Sequence, residues 1–251
     1  MPSFDELLDQ AVNANVEGWD FSWLDGRASE ERPGWGYARM MAERMSHAHR
    51  ALELQTGGGE VLAGVPELAT LTVATESWPP NLARAAARLR PRGVTLVADD
   101  GAALPFRPAS FDLVVSRHPV STRWAEVSRV LRPGGTYFSQ QIGPDSVVEL
   151  TEFFLGPQPR GQSGREPAVA RGAAQAAGLR VVDLREARLR TVFHDVGAVV
   201  YFLRKVIWIV PGFTVERYRA RLAQLHARIR AEGPFVAHAT RFLIEARRSG
   251  S

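Results

Sequence analysis

Short apolar runs alternate with helix-patterned segments through the middle of this chain. That order limits the fold more than any other feature. Residues 51–54, 71–75, 94–98, 111–116 and 136–141 are apolar runs of strand length, and residues 82–89 and 124–131 have helical spacing. Strands that alternate with helices pair in parallel, because each helix returns the chain to the same edge of the sheet. The first run continues as Glu53-Leu54-Gln55-Thr56-Gly57-Gly58-Gly59-Glu60. This reads as a buried strand entering a tight turn where backbone can approach a ligand closely.

The 251 residues fit one α/β domain with additions, and 45% hydrophobic content can fill its core. There is no cysteine, so disulfides, thiolate metal sites and cysteine nucleophiles are excluded. The longest apolar stretch, residues 196–210, contains Arg204 and Lys205 and is too short to span a bilayer. No signal-like leader precedes the first helix pattern. The expectation is a soluble, cytoplasmic protein without membrane association. Net charge is +4, and Lys205 is the single lysine among 31 basic residues. The arginines are interspersed with acids and not interleaved with aromatics, so they read as compositional bias more than as an RNA surface.

Residues 1–50 are expected to form a helical cap, with Trp19, Phe21, Trp23 and Trp35 in its loops and a helix over 36–49. Residues 51–251 are expected to form the core. A sixth strand is read at 179–189 and a seventh, antiparallel, within 234–247. Two helical segments, 196–210 and 215–231, form an insert between them. The Gly- and Pro-rich segment 156–167 is a connection. The chain has no Gly-x-Ser-x-Gly elbow, and no histidine spacing suited to a metal. His47 and His49 are two apart and would diverge on a helix. The clustered glycines also lack the Gly-x-Gly-x-x-Gly spacing of a nicotinamide dehydrogenase.

Further signals follow the glycine turn in order. Glu76 closes the second run, Asp100 precedes Leu104-Pro105-Phe106, Ser110-Phe111-Asp112 opens the fourth run, and Leu131-Arg132-Pro133-Gly134-Gly135 leads into the fifth. This series resembles the class I S-adenosylmethionine-dependent methyltransferases of small-molecule type, over roughly residues 37–145. The resemblance implies a Rossmann-like, doubly wound seven-stranded sheet, mostly parallel with an antiparallel last strand. It also implies S-adenosylmethionine as cofactor and S-adenosylhomocysteine as product.

Under that resemblance the cofactor site consists of Glu53, Gln55, Gly57, Gly59, Glu76, Ser77, Trp78, Asp100, Gly101, Ala102, Ser116 and Arg117. Glu53 organises the turn or meets the cofactor's amino group, and Gly57 and Gly59 leave room for it. Glu76, about 20 residues beyond the turn, takes the ribose diol. Ser77 follows, and Trp78 packs on adenine or staples Pro79-Pro80. Asp100 accepts from the adenine amino group, with the adjacent Asp99 as the alternative. The pattern acidic-x-Gly-x-Gly-x-Gly is broken at Gln55, which narrows the pocket, points away or meets the cofactor's carboxylate. His118 is the candidate catalytic residue, as a general base or a substrate-orienting group, with plain packing as the alternative. Gln140 and Gln141 alternate in direction, so one of them is expected to face the cleft. Tyr37, His118, Tyr201 and Trp208 are the candidate acceptor contacts. The expected reaction is in-line methyl transfer to a small molecule. The alternatives are a guanine in RNA and an inactive cofactor-binding module. The sequence implies no oligomeric state.

Overall fold

The computed structural model describes residues 2–99, 101, 103–160 and 164–250. In chain order its elements are α1 (Phe4–Asn13), β1 (Ala28–Glu30), α2 (Tyr37–His47), β2 (Arg50–Leu54), α3 (Glu60–Ala63), β3 (Leu71–Glu76), α4 (Pro79–Leu89), β4 (Thr95–Ala98), β5 (Phe111–Arg117), α5 (Trp124–Val130), β6 (Leu131–Ile142), α6 (Val148–Leu155), α7 (Pro167–Ala176), β7 (Leu179–Phe193), α8 (Val196–Lys205), α9 (Val215–Glu232) and β8 (Phe235–Arg248). Strand order is β1-β7-β8-β6-β5-β2-β3-β4. The pairs β4–β3, β3–β2, β2–β5 and β5–β6 are parallel, and β6–β8 is antiparallel. The expected α/β architecture with an antiparallel last strand is therefore present. The strand count is eight among the described residues, because Ala28–Glu30 pairs with the end of β7. A run as short as Ala-Ser-Glu carries no strand pattern of its own, and only its partner makes it one.

The chain divides into two compact units, residues 33–143, 164–187 and 241–251, and residues 1–32, 144–163 and 188–240. The boundary near the N-terminus thus falls at 32, before α2, where the sequence suggested about 50. The sequence-expected insert 196–231 lies in the second of these units, with α1.

In the first unit two apolar layers cover the sheet. One joins Met41, Met45 and Tyr37 of α2 to Ala85 and Leu89 of α4 and to Ala51, Leu113, Val115 and Phe138 of the strands. The other joins Val127 and Val130 of α5 and Ala170 and Ala174 of α7 to Leu52, Val114, Tyr137 and Phe242. Adjacent strand residues such as Leu52 and Ala51 face opposite layers, as pleating requires. Burial on both faces explains why these strands read as continuous apolar runs.

In the other unit α1 opens on a capping box. The Ser3 hydroxyl accepts from Glu6 N–H, and the Ser3 N–H donates to the Glu6 carboxylate at 2.6 Å. The buried face of α1, Leu7, Leu8 and Ala11, belongs to the same unit as α8. A Cβ on Gly197 would lie 2.8 Å from the Leu7 carbonyl, so only glycine lets these two helices approach so closely. The helix α8 stops at Lys205 instead of reaching 210. Its remaining apolar residues form turns, with Ile207 and Trp208 exposed.

Candidate functional site

The parallel strands of the first unit end together at β2, β3 and β5, the edge where open α/β sheets hold ligands. Register fixes this: Leu54 lies opposite Ser116, and Glu53 opposite Ala74. After β2 the chain turns at Gln55, φ 56, and then at Gly57, φ 63, and Gly59, φ 79. The Gly59 turn closes on the Thr56 carbonyl at 3.1 Å, and a Cβ there would lie 2.8 Å from the Leu89 side chain. Glycine at 59 is thus required twice, by φ and by the approach of α4.

Two carboxylates flank this turn. Glu76 accepts from the N–H of Gly57 at 2.8 Å and from those of Ser77 and Trp78 at 2.9 Å each. Three of a carboxylate's roughly four acceptor positions are thereby used to hold the turn against the end of β3. Glu53 is 2% exposed and accepts from the Thr56 hydroxyl. Burial pushes its carboxyl up to about 7. The Thr56 bond opposes the rise, Glu60 adds to it and Arg117 opposes it. A buried carboxyl whose ionised form is disfavoured is a receptor for a cation, because a positive partner restores that form.

Gln55 takes the second of its sequence-level options and points away from the turn. Its Nε2–H donates to the Ser121 carbonyl at 2.8 Å, and its Oε1 accepts from Val120 N–H at 2.7 Å. It ties the turn after β2 to the loop after β5. Asp100 and Ala102 lie outside the described residues. Gly101, φ 84, donates its N–H to Asp99 Oδ1 at 3.0 Å. Asp99 is also paired with Arg123, so its carboxylate braces this loop. Glu126 and Arg129 of α5 hold the next stretch. Leu104 N–H donates to Glu126 at 2.6 Å, and Arg129 donates to the Phe106 and Leu104 carbonyls at 2.7 and 2.9 Å. The Arg129 hydrogen bond holds the Glu126 carboxyl down to about 2.

The loop after β5 starts from Ser116, which is fully buried. Its hydroxyl shares hydrogen bonds with Tyr137 Oη at 2.8 Å and Ser139 Oγ at 2.9 Å. Its carbonyl accepts from Tyr37 Oη at 2.9 Å, and the Tyr37 ring stacks on Phe138 with centroids 5.2 Å apart. Both polar groups of this pair are engaged in bracing the strand end. Burial raises the Tyr37 phenol well above its usual range, with Glu53 adding to the rise. Arg117 is exposed and ends the strand.

His118 follows with φ 54, and its N–H donates to the Gln140 carbonyl at 2.7 Å. Gln140 Nε2 faces His118 Nε2 at 2.9 Å, and Trp35 Nε1–H donates to Gln140 Oε1 at 2.8 Å. Gln141 points the other way and donates to Thr122 Oγ1 at 3.1 Å. The alternation left the choice between the two glutamines open. Trp35, 105 residues away from Gln140, decides it. Trp78 is exposed at the head of α4.

Tyr201 and Trp208 belong to the other unit. Tyr201 is buried, donates to the Asp20 carbonyl at 3.1 Å and stacks on Trp23 with centroids 4.7 Å apart. Trp208 is exposed and lies 5.9 Å from Trp19, centroid to centroid. No group of acids and histidines suited to a metal occurs among the described residues, and none of their helices is long and apolar enough to cross a membrane.

Residues 52–139 match the family described as Methyltransferase domain. Over that stretch, from β2 into β6, the chain is similar to a methyltransferase domain. Among solved structures it is similar to a candidate methyltransferase from Bacillus halodurans C-125, at 16% identity and a TM-score of 0.61 over 86% of this chain and 100% of the other. It is also similar to an S-adenosylmethionine-dependent methyltransferase from Mesorhizobium loti, at 16% identity and a TM-score of 0.50 over 85% and 97%. The [4+2]-cyclase SpnF shares the fold at 15% identity and a TM-score of 0.53 over 100% and 98%. Likeness at this level speaks for the fold alone. No match is found among curated protein sequences.

Proposed function

We propose that this methyltransferase moves the methyl group of S-adenosylmethionine to a small-molecule acceptor by in-line displacement. The cofactor supplies a methyl group already activated on a sulfonium. The protein's part is to bind, align and exclude water. The carrying observation is the pair of carboxylates, Glu53 and Glu76, on either side of the glycine turn at the ends of adjacent parallel strands. Glu53 suits the cationic end of the cofactor and Glu76 the ribose diol. Gly57, at positive φ, lets the chain turn close between them, whereas Gly59 makes room for α4. Ser77, Trp78, Gly101 and the loop through Asp100 and Ala102 would meet the adenosine.

The acceptor would lie beyond the loop after β5. That loop gathers one imidazole, one primary amide and one indole N–H in the same unit as the glycine turn. Such a set suits one polar group on a compact molecule. Arg117 forms the rim of that loop, and His118 is the group that would touch the acceptor.

Calorimetric titration with S-adenosylmethionine and S-adenosylhomocysteine tests the cofactor half. Micromolar binding is expected. Glu76→Ala should weaken it by about 1.5–3 kcal/mol, the worth of hydrogen bonds to a charged group. Unchanged affinity in a folded Glu76→Ala protein removes Glu76 from the ribose site. An acceptor screen of small aromatic hydroxyl compounds, followed by RNA at several salt concentrations, tests the acceptor half.

A further inference from the structure

Gln140 sits between two groups that make opposite demands on its amide. An indole N–H can only donate, so Trp35 fixes the amide oxygen on its own side, at 2.8 Å. The amide nitrogen is then the atom facing His118 Nε2, at 2.9 Å, and it too can only donate. His118 Nε2 therefore turns its lone pair to Gln140, and the ring's single proton sits on Nδ1. A doubly protonated ring would set two N–H groups against each other. Burial acts in the same direction: it pushes the imidazole well below its usual range, and the charges of Arg241 and Arg117 push it further. Nδ1 has no partner among the described residues. The backbone carries a second mark, since φ is 54 at a non-glycine residue and is held by the bond to the Gln140 carbonyl. Conformations of this kind persist where the surroundings impose them, and they gather at functional sites.

We propose that Trp35 and Gln140 are positioning residues that lock His118 as a neutral Nδ1–H donor, and that this N–H receives an anionic oxygen of the methyl acceptor. A neutral imidazole has one basic lone pair, and here it is engaged, so His118 is not the general base. The acceptor class that follows is an oxygen acid that arrives already ionised, a phenolate or an enolate. The site then has no proton to remove. This rests on the methyltransferase reading above.

Long-range 1H–15N spectra of the histidine-labelled full chain, with S-adenosylhomocysteine bound, read the tautomer. His118 should be neutral and protonated on Nδ1 between about pH 5 and 8, where an unperturbed imidazole changes charge. Trp35→Phe keeps an apolar ring without the N–H, so the amide can turn and the ring should become a mixture of tautomers that titrates nearer the ordinary range. Should that variant fail to fold, Gln140→Glu places a carboxylate against Nε2 and should draw the proton there. A wild-type His118 protonated on Nε2, or gaining its charge within that range, overturns the proposal. So does a Trp35→Phe spectrum identical to that of the wild type.

Binding of 4-nitrophenolate to the S-adenosylhomocysteine complex, followed by its absorbance, separates donor from base. His118→Asn keeps an N–H donor and tolerates positive φ, so affinity should stay within about threefold. His118→Ala should lose about tenfold or more, the worth of one hydrogen bond to a charged oxygen. Equal losses in the two variants, or no binding by the wild type, overturn the proposal. Failure to bind S-adenosylhomocysteine refutes the methyltransferase reading instead, and the tautomer spectrum of the free chain still decides whether Trp35 and Gln140 set the ring.

Discussion

Replacing Glu53 with Gln should make the folded protein more stable at alkaline pH and leave its stability nearly unchanged in acid. Burial at 2% exposure raises the carboxyl from its ordinary 4.5 to about 7 in the folded state. Between these two values the folded state keeps a proton that the unfolded state has lost. Stability from this group is therefore complete below pH about 4.5 and is lost as pH rises through about 7. At about 1.36 kcal/mol per unit, the loss is roughly 3 kcal/mol. Gln keeps an oxygen for the Thr56 hydroxyl that Glu53 now accepts, so the neutral hydrogen bond survives. The assay is urea unfolding of both proteins at pH 5, 7 and 8.5, compared as the difference between them. The difference cancels the six histidines common to both. It should grow by roughly 2–3 kcal/mol toward pH 8.5. Added S-adenosylhomocysteine should reduce that growth, because a cation beside Glu53 restores its charge. A difference that stays flat within about 0.5 kcal/mol, the usual additivity error, refutes the reasoning.

Gln55→Gly should release the loop after β5, since it removes both side-chain bonds to Val120 and Ser121. Global stability should change by less than about 1.5 kcal/mol, because glycine also relieves the positive φ. Amide exchange at Val120 should nonetheless accelerate, and an unchanged rate would show that the side chain does not hold the loop. Glu126→Gln should cost about 1–2 kcal/mol at neutral pH, because Leu104 N–H and Arg129 lose a charged partner. The group's pKa is lowered, to about 2, so its contribution is present above about 4.5 and lost as pH falls through about 2. Acid titration of both proteins by circular dichroism should therefore show the gap between them closing, and a gap independent of pH would contradict the assignment.

Much of the site is a matter of which side chain meets which, and that is where sequence reading stopped. Glu76 could be placed from its position at the end of an apolar run and its distance from the glycines. Two of its three backbone donors, Ser77 and Trp78, are adjacent in the chain, and the third, Gly57, is brought to it by the pairing of β2 with β3. Tyr37 offered an aromatic hydroxyl for an acceptor. Its hydroxyl instead meets a carbonyl 79 residues on, a pairing that no local pattern encodes. Trp35 was legible only as a loop aromatic, and Gln140 only as one of two alternating amides. Their meeting depends on how the segment before α2 lies against β6, and on nothing adjacent in the chain.

The sequence by itself determined the order of strands and helices, the position of the glycine turn and the two acids beside it. These follow from hydrophobic period and from the φ that glycine permits, both of which act over a few residues. Only the tertiary structure decided that Gln55 reaches the loop after β5, that Asp99 is paired to Arg123, that Ala28–Glu30 is a strand and that His118 faces a donor. Each of these depends on a partner brought near by packing. A side chain with two hydrogen-bonding ends takes its direction from whichever partner the fold supplies.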